Sequence, residues 1–237
     1  MNSFKYFITL FVFGTTLIAN AQKGEPILAA VLKKYSEPSQ YEYTTAYRLY
    51  KTHTSQNVEE YHSGLYQKKS KAELYFKLQD IEFFYKGNTY VQLNHDTKSI
   101  IISTSSDKVI EYDLSAITKD FTVASVKDNK TNWQLELHAK KNVSYPYSLI
   151  MLYVRKDYTI EREIFYYNTG IDFSQDYTRK DISRPRLEIV YSNILSLKKF
   201  KSFNLSDFFV EKNRKKYPTE SYKEYRIVDN RKTNQQN

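Results

Sequence analysis

The sequence predicts a mainly β protein of the α+β class, with about ten or eleven antiparallel strands and one to three helices. Two observations carry this. Runs of alternating apolar and polar residues recur along most of the 237-residue chain, and a period of two marks strands with one buried face. The composition also holds 23 Tyr and 14 Phe against 5 Gly and 5 Pro, a bias toward residues that suit a pleated surface. A sheet of that size has to curl or close, or it leaves long edges and a bare apolar face. Helices are the expected cover.

Residues 1–21 are expected to be a cleaved signal peptide. Lys5 supplies a basic start, Phe7 to Ala19 is an apolar run, and Ala19-Asn20-Ala21 has the small-residue spacing a signal peptidase reads. The run falls short of the ~20 apolar residues that span a bilayer. Cleavage near Ala21 predicts an exported protein, periplasmic and soluble. The absence of cysteine excludes disulfides, thiolate catalysis and zinc–thiolate sites. Gln22, at the cleavage position, excludes lipid anchoring of the bacterial lipoprotein kind. The formal charge of +9 would raise nucleic acid as a partner, but export argues against it. The charges are also dispersed among Glu, Asp and Tyr. Transient contact with anionic lipid head groups or acidic glycans is the gentler reading.

Residues 22–228 read as one domain, followed by a disordered polar tail over 229–237. Glu25 to Ser36 is a predicted helix with Pro26 in its first turn and Ile27, Leu28, Val31, Leu32 and Tyr35 on one stripe; Pro38 ends it. Tyr41 to Lys51 alternates, with Tyr41, Tyr43, Tyr47 and Leu49 on one face and Arg48 on the other. Val58 to Lys69 is its hairpin partner, where Gly64 suggests a bulge. Lys71 to Leu78 leads into Phe83 to Ile102, a meander broken at Gly87-Asn88 and at the turn Asn94-His95-Asp96-Thr97. The signal weakens from Ser105 to Lys119, where Leu114, Ile117 and Phe121 suggest a short helix capped by Asp113. Asn132 to Lys140 alternates again, Ser148 to Val154 and Thr159 to Tyr167 form a hairpin across Lys156-Asp157-Tyr158, and Arg186 to Ile194 is a further strand. Ile171 to Pro185 reads as a loop or an irregular edge. Phe200, Phe203, Phe208 and Phe209 anchor a connection, Lys212 to Lys216 is a basic run, and Tyr222 to Val228 is a last strand.

In this order the chain resembles the LolA-like and LolB-like periplasmic lipoprotein carriers. The likeness lies in the opening amphipathic helix and the hairpin leading through Ser63-Gly64-Leu65-Tyr66-Gln67-Lys68-Lys69. It continues in Phe84-Tyr85-Lys86-Gly87-Asn88-Thr89-Tyr90-Val91-Gln92-Leu93-Asn94, in the pair Ser148 to Tyr167, and in Leu187-Glu188-Ile189-Val190-Tyr191-Ser192-Asn193-Ile194. The resemblance implies a curved antiparallel half-barrel closed by helices, and a carrier that works without covalent chemistry. Lys86 stands where the family's turn usually carries Asp. Without an anchoring cysteine, the chain fits the soluble carrier branch. Arg48 is a candidate for the buried arginine that helps keep the family's cover closed.

Catalysis has no support in the sequence. His53, His62, His95 and His138 do not fall at metal-ligand spacing, and His53 and His95 read as surface loop residues. No nucleophile or phosphate-binding motif is present. Glu161 and Glu163 are two apart on one strand, where they could line up as a glycosidase pair, but read better as the polar face of a half-buried strand. No cofactor is called for. The candidate ligand-binding face is apolar: Leu74, Phe76, Phe83, Tyr85, Val91, Leu93, Ile100, Ile102, Trp133, Leu135, Ile150, Leu152, Ile164 and Ile189. As a cavity it would hold acyl chains of lipids or lipoproteins, at about 0.8 kcal/mol per buried methylene, and pass them between membrane-associated donor and acceptor proteins. The same residues would equally make a solid core. In that case the chain is an envelope interaction module whose Tyr- and Lys-rich surface binds a protein or an acidic glycan.

Overall fold

The structure, a computed structural model, describes residues 23–36, 40–104, 114–174, 176, 178–213 and 215–231. The expected signal peptide, Pro38, Asp113 and residues 232–237 lie outside the described residues. Helix α1 covers residues 23–36. The chain continues as β1 (Tyr41–Tyr50), β2 (Val58–Ser70), β3 (Glu73–Leu78), β4 (Ile81–Lys86), β5 (Thr89–Asn94), β6 (Ser99–Thr104), α2 (Leu114–Asp120), β7 (Phe121–Asp128) and β8 (Asn132–Ala139). After these come β9 (Tyr147–Arg155), β10 (Ile160–Tyr167), β11 (Ile171–Asp172), β12 (Ile182–Ser183), β13 (Arg186–Ser196), β14 (Phe209–Lys212), β15 (Lys215–Pro218) and β16 (Arg226–Asp229). The protein is mainly β, as predicted. Twelve strands are hydrogen-bonded in the order β16-β6-β5-β4-β3-β2-β1-β13-β10-β9-β8-β7, an open sheet with β16 and β7 at its edges.

Contacts divide the chain into two compact units, one formed by residues up to Glu37 with Ala46–Tyr61 and Asp113–Tyr191, the other by Pro38–Thr45, His62–Tyr112 and Ser192 onward. In the first unit, α1 lies on the face of β7 to β10 that carries Leu135, Leu137, Ile150, Leu152 and Val154, all at 0% exposure. Its Leu28 and Val31 are buried, as the stripe predicts, and each fully buried aliphatic side chain contributes about 1.5–3 kcal/mol. The Tyr35 hydroxyl accepts the Ile160 amide at 3.0 Å, and burial pushes that phenol up to about 12. Gly24 belongs where it is, because a Cβ there would stand 2.4 Å from Val123.

Strand β7 corrects the expectation that Phe121 extends a helix. Phe121 starts the strand, and a register shift between Val123 and Ser125 leaves Val123 and Val126 three apart. Phe121 lies four residues after Ile117, a helical spacing that concealed the start of the strand. The segment Ile171 to Pro185, read as a loop or an irregular edge, contains the small β11–β12 ladder.

In the second unit, β2 to β6 form the predicted meander. Gly87 adopts φ +58 at its turn, and Asn94 Oδ1 accepts the amides of Asp96 and Thr97 at 3.0 and 2.8 Å. Gly64 is not a bulge. It pairs in register with Leu78, the shift on β2 falling between Lys68 and Ser70, and its missing Cβ makes room for Thr45 Oγ1, 2.4 Å from where that atom would be. The connection after β13 contains the β14–β15 hairpin, which the sequence reading did not anticipate. The last strand, β16, starts at Arg226, joins β6 in parallel, and reaches one residue into the segment expected as a tail.

Candidate functional site

The candidate apolar residues do not share one face. In the second unit Phe83 pairs with Gln92 and Phe84 with Val91, while Phe76 pairs with Phe83 and Tyr75 with Phe84. Side chains alternate along each strand, so Leu74, Phe76, Phe83 and Tyr85 point to one side, and Val91, Leu93, Ile100 and Ile102 to the other. The two faces have different surroundings.

The side with Val91, Leu93, Ile100 and Ile102 is a filled core. These residues, with Tyr75 and Phe84, pack against Phe203, Phe208 and Phe209 from the C-terminal connection. Phe84 lies 5.4 Å from Phe203 and 5.6 Å from Phe208, ring centre to ring centre. At the border of this core Glu82 is 6% exposed. Its carboxylate accepts the Tyr75 hydroxyl at 3.0 Å, is paired with the Lys201 ammonium, and lies 3.1 Å from His95 Nε2. Burial alone would raise the Glu82 pKa, but Lys201 and the hydrogen bonds from Tyr75 and His95 outweigh it and hold it below the usual carboxylate range. Burial, with Glu82 beside it, pushes the Tyr75 phenol up. His95 also meets the Tyr225 hydroxyl at 2.7 Å, so it belongs to a half-buried network and not to an open surface loop.

The opposite side is aromatic, with Tyr41, Phe76, Phe83, Tyr85 and Tyr90 half-buried and Tyr43, Tyr66 and Leu74 buried. Phe76 stacks on Phe83 at 5.7 Å and Phe83 on Tyr90 at 6.0 Å. Tyr43 stacks on Tyr66 at 4.8 Å, and Tyr41 lies 6.0 Å from both. Leu74 and Lys68 sit between these groups. Lys68 is 1% exposed, with its ammonium 5.7 Å from the centre of the Tyr41 ring. Burial pushes the Tyr90 phenol up to about 12, and its hydroxyl donates to Gln92 Oε1 at 3.3 Å. This side offers broad ring faces with a buried cation at one end.

In the first unit Trp133, Leu135, Ile150, Leu152 and Ile189 lie on the face under α1. The exception is Ile164, which pairs with Met151 and Glu188 on the other face. Its place among the apolar residues is taken by Glu163, opposite Leu152 and Ile189. Glu163 is 0% exposed and accepts the Tyr191 hydroxyl at 2.9 Å, so it does not belong to a solvated polar face. Glu161 instead accepts Asn132 Nδ2 at 3.0 Å. Arg48 is 38% exposed and 3.8 Å from Glu188, on the face away from α1. A shallow pocket of about 370 Å³ in the second unit is lined by Lys215, Lys216, Tyr217, Ile227 and Asp229, and none of the candidates borders it.

Similar chains are found among solved structures at low identity. A LolA superfamily protein from Nitrosomonas europaea is 12% identical over 76% of this chain and 94% of its own, with a TM-score of 0.33. An uncharacterized conserved protein from Thermus thermophilus is 14% identical over 87% and 99%, with a TM-score of 0.47. A candidate outer membrane lipoprotein-sorting domain from Vibrio parahaemolyticus is 12% identical over 77% and 95%, with a TM-score of 0.38. No protein-family model and no curated protein matches the chain. Among the described residues, no helix is long and apolar enough to cross a membrane.

The aromatic side also contains residues absent from the sequence candidates: Tyr41, Tyr43, Tyr66, Lys68 and Tyr90. The signal was there for the first two, which alternate with Glu42 and Thr44 on β1. Lys68 carried none, since a lysine among polar neighbours reads as solvated.

Proposed function

We propose that the protein is a soluble, exported carrier that binds acyl chains of lipids or lipoproteins and hands them to a membrane acceptor. The reading is supported by the aromatic side of β3 to β5, where the half-buried Phe76, Phe83 and Tyr90 present ring faces on the side of the strands away from the packed core. Broad apolar ring faces accept methylene chains without demanding a fixed hydrogen-bond geometry, which suits cargo that differs in chain length. Loading and release then follow from differential affinity between carrier and acceptor, with no covalent step.

A different reading, an envelope interaction module with a solid interior, is favoured by Val91, Leu93, Ile100 and Ile102, which are packed and not open. The experiment that separates the two is gentle purification of the full chain from its own compartment, followed by mass spectrometry of extracted lipids. Stoichiometric lipid or lipoprotein is the expected result. Lipid-free protein that also fails to bind a fluorescent fatty acid would overturn the carrier reading.

A further inference from the structure

We infer that the β14–β15 hairpin is a docking element for an anionic lipid surface. Val210 pairs with Tyr217 and Lys212 with Lys215 across it. These four side chains fall on one face, since positions two apart on a strand point the same way. Val210 is 44% and Tyr217 47% exposed, unusual for an aliphatic–aromatic pair directly opposite each other. Lys212 and Lys215 are exposed beside them. The inner face is engaged at Phe209 and Lys216. Phe209 is buried in the core of the second unit, and Lys216 pairs with Asp229 at 3.2 Å and with Glu211 at 3.8 Å.

The base of the hairpin is held by the Thr219 amide on Phe208 O at 3.0 Å and the Thr219 hydroxyl on Asp207 O at 2.9 Å. Its tip turns through Asn213 at φ 51. The hairpin thus presents a short apolar pair beside two ammonium groups. Aromatic and aliphatic side chains seat at the head-group boundary while lysines reach the phosphates. A protein partner would use the apolar pair, but it gives no reason for two exposed lysines on the same face of a chain carrying +9 overall. The inference goes beyond the carrier reading and does not depend on it.

The test is co-sedimentation of the full chain with vesicles of phosphatidylcholine alone and of phosphatidylcholine mixed with phosphatidylglycerol. Binding is expected only to the mixed vesicles, weakening as salt shortens the screening length. The pair Lys212→Gln and Lys215→Gln is expected to lower partitioning about twentyfold, and Val210→Ser with Tyr217→Ser about tenfold. Loss of the same charge elsewhere, by Lys71→Gln with Lys86→Gln, is expected to cost far less. Equal binding to neutral vesicles, no binding to either, or equal loss from the control pair would each overturn the inference. Far-UV circular dichroism confirms that each variant is folded. Fatty-acid binding by the same variants separates the two proposals, because docking can be lost with cargo binding intact and the reverse.

Discussion

Phe83 and Phe84 are neighbours on one strand that face opposite sides, and truncating each in turn tests the division between the packed core and the proposed cargo face. Phe84 is 3% exposed and meets Tyr75, Phe203 and Phe208 at ring separations of 5.1, 5.4 and 5.6 Å. Phe84→Ala is expected to cost about 3–5 kcal/mol, the range for a large aromatic removed from a core. At about 2–4 °C per kcal/mol for a protein of this size, the melting temperature falls by about 6–20 °C. Phe83 is half-buried, with Phe76 and Tyr90 as its ring partners. Half the transfer term plus the loss of ring contacts gives about 1–2 kcal/mol for Phe83→Ala. Its larger effect is expected on cargo, with fatty-acid affinity falling about tenfold, a loss of ~1.4 kcal/mol. Thermal melts by circular dichroism read the first quantity and titration of a fluorescent fatty acid the second. If Phe84→Ala leaves no folded protein, Phe84→Leu gives a smaller loss on the same scale. Equal destabilisation by the two alanine variants, with fatty-acid binding unchanged in Phe83→Ala, would refute the division.

Gly64→Ala brings a Cβ to 2.4 Å from Thr45 Oγ1 and 3.2 Å from Lys77 O; it is expected to destabilise by about 1–3 kcal/mol, with part of the loss recovered in a double variant with Thr45→Ala, as denaturant melts will show. Tyr191→Phe removes the hydroxyl that donates to the fully buried Glu163 at 2.9 Å and is expected to cost about 1–3 kcal/mol by thermal melting, against a near-neutral result if that carboxylate were solvated. Hydrogen bonding to Arg231, opposed by burial and aided by Lys216, lowers Asp229 from 3.8 to about 2 in the folded chain. The folded pKa is depressed, so this stabilisation is present above pH 3.8 and is lost as pH falls toward 2. Wild-type melting temperature should therefore fall more steeply across that window than that of Asp229→Asn.

Most positions in the large sheet were legible from alternation, and helix α1 from its stripe, but β7, β11–β12 and β14–β15 were not. The side each strand presents to its neighbour was less so. Phe83 and Tyr85 were grouped with Val91 and Leu93 because each pair alternates correctly within its own strand. Face is passed from strand to strand by loop length, and the two-residue loop Gly87-Asn88 pairs Lys86 with Thr89. That puts Phe84, not Tyr85, beside Val91, and one residue of slip exchanges the faces. The break at Gly87-Asn88 was visible in the sequence, so the parity was available there. On β10 a register shift between Ile160 and Arg162 precedes Glu163 and Ile164, and no local pattern announces it. The buried states of Glu82, Glu163 and Lys68 were hidden for a related reason. A charged residue on an alternating strand reads as solvated, and only partners distant in sequence, such as Lys201 and Tyr191, show otherwise.

The parallel seat of β16 on β6 has a consequence for the order of events in the life of the chain. Phe203, Phe208, Phe209 and the strand ending at Asp229 all come from the last part of the sequence, yet they cover a meander that is complete by Thr104. Contacts of such long sequence separation form late. A nascent chain still short of Asp229 has the meander but not its lid of phenyl rings, so Val91, Leu93, Ile100 and Ile102 stay wet until synthesis is nearly finished. Removal of residues after about 200 would therefore leave a sticky, unfinished sheet and not a smaller protein.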